Sequence, residues 1–135
     1  MESKILIVDD QPSNIKVIKQ VLIMSGFEVI EACDGLEGIE MTKKERPFLV
    51  LMDIRMPVMD GITAMKKIRE IDDFKTLPIL AFTAQAMKGD REKLILEGFD
   101  EYVAKPISIK YFINIVNKHY TAFTNRTSHN NQSTH

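Results

Sequence analysis

Short β-branched or aliphatic runs alternate along the chain with longer stretches of helical period. The runs Lys4 to Val8, Phe27 to Glu31, Phe48 to Met52, Pro78 to Phe82 and Glu101 to Ala104 have strand length. Several are apolar almost throughout, as expected of strands covered on both faces. Between them the apolar residues recur every three to four positions: Ile15, Ile18, Val21 and Leu22, then Leu36 and Ile39, then Ile62, Met65 and Ile68. A fourth, more polar segment from Met87 to Glu97 gathers Leu94, Ile95 and Leu96 near its end, and a fifth carries Ile109, Phe112, Ile115, Val116 and His119. That spacing predicts five amphipathic helices.

The boundary residues agree with this division. Pro12 suits a first helical turn, Gly26 and Gly98 suit helix ends, and Asp34 and Ser108 suit N-caps, with Glu37 three residues after Asp34 as in a capping box. Strands alternating with helices imply an α/β fold, a doubly wound parallel sheet with helices on both faces. Residues 1–120 read as one domain. From Thr121 to His135 the chain is rich in Thr, Ser, Asn, Gln and His, with Ala122 and Phe123 its apolar residues, so a disordered polar tail or the start of a linker is expected there.

Composition narrows the classes of function. With 18 basic against 19 acidic side chains, the chain lacks the strongly basic balance of a dedicated nucleic-acid binder. No run approaches the roughly 18 apolar residues of a membrane span. Met1 leads straight into Glu2 and a strand-like run, so no secretory leader is expected. The single cysteine, Cys33, excludes an internal disulfide and reads best as a small, half-buried filler in a cytoplasmic protein.

Chemistry enters at the strand ends. Ligands of doubly wound sheets bind beyond the carboxyl ends of the strands. The first strand delivers Asp9 and Asp10 to that edge, and the third delivers Asp53. Three converging carboxylates repel one another unless a cation sits among them or one is protonated. Magnesium fits, because it takes one or two carboxylates and keeps positions open for water and phosphate oxygens. Thr83 and Lys105 end the fourth and fifth strands at the same edge, adding a hydroxyl and a fixed positive charge. Taken singly, each residue has a plainer reading: helix-start acids, a turn aspartate before Met56-Pro57, a capping hydroxyl, an exposed lysine. Together they are the parts of a phosphoryl-transfer site with a carboxylate nucleophile.

These residues carry a resemblance. Ile5-Leu6-Ile7-Val8-Asp9-Asp10, Leu51-Met52-Asp53 through Met56-Pro57 to Asp60-Gly61, Phe82-Thr83-Ala84 and Tyr102-Val103-Ala104-Lys105-Pro106 are similar to the motifs of receiver domains of two-component response regulators. The resemblance implies a flavodoxin-like (βα)5 fold with strand order 2-1-3-4-5. It implies Asp53 as phosphoacceptor, and Mg2+, with Mn2+ as a substitute, held by Asp9, Asp10, Asp53 and the backbone carbonyl of Arg55. It further implies Lys105 contacting the phosphoryl group, Thr83 turning toward it, Tyr102 moving from an outward to an inward rotamer, and a cis Lys105-Pro106 bond. Arg55 and Gln85 would tune the lifetime of the aspartyl phosphate.

The expected function is a signalling switch rather than an enzyme, one that assists its own phosphorylation and dephosphorylation. Its donor would be a sensor histidine kinase or a histidine phosphotransfer protein. Its output would be a downstream protein target, engaged through the face of the fourth helix, fifth strand and fifth helix, with no direct contact to nucleic acid or membrane. Monomers or a weak phosphorylation-dependent dimer are expected. Met59-Asp60-Gly61 and the stretch from Ala86 to Arg91 resemble receivers of hybrid sensor kinases and single-domain regulators, so an excerpt from a hybrid kinase is an alternative, as is a vestigial pseudo-receiver. For an aspartyl phosphatase of the haloacid-dehalogenase type, this chain lacks the second acid two residues after Asp53, since position 55 is Arg. For a nucleotide or flavin carrier, this chain lacks a glycine-rich loop after the first strand, where Asp9-Asp10-Gln11-Pro12 stands instead.

Overall fold

A computed structural model describes residues 3–84 and 89–133, with side chains described as far as Arg126. Five strands form one sheet: β1 (Lys4–Val8), β2 (Glu28–Ala32), β3 (Leu49–Asp53), β4 (Ile79–Thr83) and β5 (Glu101–Ala104). All are parallel, in the order β2-β1-β3-β4-β5. The helices are α1 (Pro12–Met24), α2 (Gly35–Glu45), α3 (Gly61–Arg69), α4 (Asp90–Glu97) and α5 (Ile109–Ser133), with a 3-10 turn at Asp72–Phe74.

Strand geometry explains the near-continuous apolar runs. Successive side chains point to opposite faces, so Leu6, Val8, Val50, Met52, Ile79 and Ala81 join one core with Ile39, Met65, Ile68 and Leu94 from α2, α3 and α4. Ile5, Ile7, Leu49, Leu51, Leu80 and Phe82 join the other, against Ile15, Ile18 and Leu22 of α1 and Phe112, Ile115 and Val116 of α5. Two buried faces need two apolar sets in each strand.

Several expectations shift. The second, third and fourth strands each run one residue later than read from sequence, so Asp53 and Thr83 are the last residues of β3 and β4. Leu36 is 52 % exposed and lies off the core face of α2. That face is made instead by Gly35, Gly38, Ile39 and Thr42, because Gly38 sits so close to Val8 that a Cβ there would be 3.0 Å from its methyl. Cys33 is exposed rather than half-buried, with its thiol 3.3 Å from Glu37 Oε2. Pro12 opens α1, and the Asp34 carboxylate caps α2 by accepting from the Glu37 N–H at 2.8 Å.

The largest difference is at the end of the chain. Where a disordered tail from residue 121 was expected, α5 continues to Ser133. Tyr120 and Phe123, one turn apart, explain its first part: the Tyr120 ring meets Phe27 at 5.2 Å, and Phe123 stacks on Phe48 at 5.4 Å. This aromatic cluster lies at the end of the sheet opposite the acidic edge.

Candidate functional site

β1 and β3 are neighbours, with Val8 paired to Met52, so the residues that follow them in register emerge side by side. Asp9 is 1 % exposed and Asp53 4 %, while Asp10 is more accessible. One carboxylate oxygen from each of the three lies within 4.8 Å of the other two. Lys105 follows β5 and reaches back across β4. Its Nζ is 3.3 Å from Asp9 Oδ2 and 3.5 Å from Asp53 Oδ1, and 4.6 Å from the centre of the Phe82 ring. The Lys105-Pro106 bond is cis, as the resemblance implied.

The carboxylates are fixed by their own loops. Asp9 Oδ1 accepts from the Gln11 N–H at 2.9 Å, and Asp53 Oδ1 accepts from the Arg55 N–H at 3.3 Å. Burial, then the charge of Asp9, pushes the Asp53 carboxyl up to about 6, against the opposing pull of Lys105 and the Arg55 N–H. A buried acid that resists ionising beside a second buried acid lacks positive charge. The donors are all oxygens, two of them on adjoining strand ends and one at the open rim. This set suits a hard cation that keeps open positions, and magnesium is the one that combines few carboxylates with retained waters.

The surrounding loop is built for close approach. Ile54 N–H extends the ladder to Phe82 O at 3.0 Å, and Gly61 N–H then returns to Ile54 O at 2.9 Å. A Cβ at Gly61 would lie 2.1 Å from the Asp53 carbonyl oxygen, so only glycine lets α3 begin directly against the strand end. Asp60 caps that helix by accepting from Thr63 N–H at 2.8 Å. Between these points the loop projects Val58, 90 % exposed and held at φ +70°.

Thr83 is buried at the end of β4, paired in register with Ala104, and its carbonyl accepts from Lys105 N–H at 2.8 Å. Arg55 is exposed; with Ile54, Ile62, Thr83, Asp90, Lys93 and Leu94 it lines a hollow of about 170 Å³. Tyr102 packs against the core on the α2–α4 side of the sheet, with its hydroxyl buried and unpartnered among the described residues. Burial, then Asp90, pushes its phenol up. Gln85 lies outside the described residues. The structure thus brings Asp9, Asp10, Asp53, Lys105, Thr83 and Arg55 to one edge.

Four contributors had no role assigned from sequence: Gln11, whose N–H holds Asp9; Asn14, whose amide reaches it; and two residues of the quoted motifs, Phe82 beneath the Lys105 ammonium and Gly61. The Asp60-Gly61 pair, a capping acid before a small residue, was the one available signal for the last of these.

Residues 5–117 match the family described as the response regulator receiver domain. The polar-differentiation response regulator DivK of Brucella anthropi is 36 % identical over 116 residues, spanning 86 % of this chain and 94 % of that protein. Among solved structures, the receiver domain of sensor histidine kinase PA1611 from Pseudomonas aeruginosa, with magnesium in its active-site cleft, is 35 % identical at a TM-score of 0.79. That match covers 87 % of this chain and 97 % of the other. The chemotaxis protein CheY4 of Vibrio cholerae is 27 % identical at a TM-score of 0.81, covering 87 % and 98 %. With the strand order and the paired acids already in place, the chain belongs to the response regulator receiver domains, a family of phosphoacceptor signalling domains that bind magnesium at an acidic site.

Proposed function

We propose that Asp53 accepts a phosphoryl group from a phosphohistidine on a sensor kinase or phosphotransfer protein. The carrying observation is the Lys105 ammonium, held between Asp9 at 3.3 Å and Asp53 at 3.5 Å within a cluster of three carboxylates. An Asp53 oxygen attacks phosphorus in line. The new O–P bond forms as the N–P bond breaks, and the imidazole nitrogen leaves with the electron pair and is protonated by solvent. Asp9, Asp10 and Asp53, with the Arg55 carbonyl, would hold Mg2+, which supplies charge neutralisation on the phosphoryl oxygens. Lys105 balances the added charge, and Thr83 donates its hydroxyl to the new acceptor oxygens. Water attacking the same phosphorus regenerates the carboxylate and releases phosphate; Arg55 and Gln85 govern how readily it enters.

The switch acts through Tyr102 and the α4-β5-α5 face. Ile95, Leu96 and Tyr111 are exposed on that side of the molecule, with Leu96 at 87 %, and give a protein target apolar surface to engage. The setting proposed is the cytoplasm, with the domain a monomer or a weak dimer once phosphorylated. No helix among the described residues is long and apolar enough to cross a membrane.

The test is incubation with Mg2+ and a small acyl phosphate, followed by intact mass. A gain of one phosphoryl group that needs Mg2+ and vanishes in Asp53→Asn supports the proposal. No gain from either the small donor or a phosphorylated phosphotransfer protein would favour a vestigial receiver.

A further inference from the structure

Asp9 has more partners than a simple metal ligand needs. Its Oδ1 accepts from Gln11 N–H at 2.9 Å, while its Oδ2 lies 3.3 Å from Lys105 Nζ and 3.4 Å from Asn14 Nδ2. Asn14 stands in the first turn of α1, and its amide is aimed by a second bond, from the same Nδ2 to Gln11 Oε1 at 2.8 Å. An amide nitrogen carries two hydrogens; one is held by Gln11, and the other is left for Asp9. Asn14 and Lys105 also border one hollow of about 240 Å³ beside Phe82.

Two donors, one charged and one neutral, therefore converge on a single oxygen of a carboxylate that is 1 % exposed. They differ in what they can do next. Among the described residues Lys105 is the cation that pairs with Asp53, at 3.5 Å, and it is drawn to any anionic group added there. When it goes, Asp9 Oδ2 keeps one of its two side-chain donors, the Asn14 amide, to fix its orientation toward the metal. The Asn14 amide carries no net charge and is anchored through Gln11 to α1, so it stays.

We infer that Asn14 is a positioning residue for the site: its amide holds Asp9 Oδ2 in place while Lys105 shifts from Asp9 to the phosphoryl group. The inference rests on the proposed reading of Asp9 as a metal ligand and Lys105 as a phosphoryl contact. Partners that orient a metal's ligands set affinity as strongly as many ligands do.

The test compares wild type, Asn14→Ala and Asn14→Leu. Leu keeps the size of the side chain without its donor. Magnesium affinity of the unphosphorylated protein is read by calorimetry, and the thermal midpoint in chelator reports folding. Both variants should bind Mg2+ about tenfold more weakly with no fall in midpoint. Phosphoryl uptake from a small acyl phosphate at saturating Mg2+ should slow in kcat with KM for the donor unchanged. Magnesium binding by either variant within about twofold of wild type overturns the inference, as does a Leu variant that behaves as wild type while Ala does not, since volume would then be the cause. If Asn14→Leu loses cooperative unfolding, Asn14→Ala decides alone. A wild type that fails to bind Mg2+ would instead overturn the reading of the site itself, so the two failures are distinct.

Discussion

Replacing Asp53 with asparagine keeps the shape of the side chain and removes one of three clustered charges, so it should stabilise the metal-free protein while abolishing phosphorylation. In the folded chain the Asp53 carboxyl is pushed from its ordinary value of 3.8 to about 6, first by burial and then by Asp9. Below pH 3.8 the group is protonated whether folded or not and costs nothing. Between 3.8 and about 6 the unfolded chain releases its proton while the folded chain keeps it, so stability falls as pH rises, and above 6 the cost is complete. A rise of that size corresponds to about 3 kcal/mol, or roughly 10 °C in thermal midpoint for a domain of this size.

The assay is urea unfolding followed by circular dichroism, in chelator, from pH 4.5 to 7.5 for both proteins. His119, whose imidazole is held below its usual range by burial and by Lys118, loses stability in the opposite direction as pH falls. It is present in both proteins and cancels in the difference. The stability gap, variant minus wild type, should grow across this window to about 3 kcal/mol and shrink when Mg2+ is added, because the wild type gains more from the ion. A variant less stable than wild type at pH 7 in chelator, or a gap that ignores pH, would refute the account of the acidic cluster.

Other substitutions probe the parts around it. Gly61→Ala forces a Cβ into the Asp53 carbonyl, whose oxygen would be 2.1 Å away; the variant should lose about 2–4 kcal/mol of stability by urea unfolding and take up phosphoryl groups poorly even where folded. Phe123→Ala removes the ring stacked on Phe48 at 5.4 Å and should cost about 1–2 kcal/mol, with Mg2+ affinity by calorimetry unchanged because the cluster lies at the far end of the sheet. Arg55→Ala uncovers the hollow shared with Thr83 and Lys93 and should change the decay rate of the aspartyl phosphate in a mass-based chase; an unchanged rate removes Arg55 from lifetime control.

Much of this was legible in the chain because the information was local. A run such as Ile5-Leu6-Ile7-Val8 followed at once by Asp9 and Asp10 states both a doubly covered strand and its chemical end. The same holds for Leu49 to Asp53 and for Ile79 to Thr83. What was not legible depends on contacts distant in sequence or on shape rather than hydropathy. The polar composition after Thr121 argues against order, yet Phe123 finds Phe48, 75 positions earlier (123 less 48), and the helix continues across the expected break. The core face of α2 is set by the closeness of Gly38 to Val8, which no periodicity of apolar residues records. Asn14 reads as an ordinary polar residue of a first helical turn until Gln11 and Asp9 are seen on either side of its amide. Gly61 likewise becomes necessary only when α3 is seen to start against the carbonyl of Asp53.

The proposed switch requires that the carboxylate of Asp53, and neither Asp9 nor Asp10, form the bond to phosphorus. Borohydride reduces an acyl phosphate to an alcohol, so the protein is treated with Mg2+ and a small acyl phosphate, reduced, digested and mapped by peptide mass. Homoserine should appear at position 53 alone, when Mg2+ is present and not in chelator. Homoserine at position 9 or 10, or its formation at position 53 without a divalent cation, would contradict it.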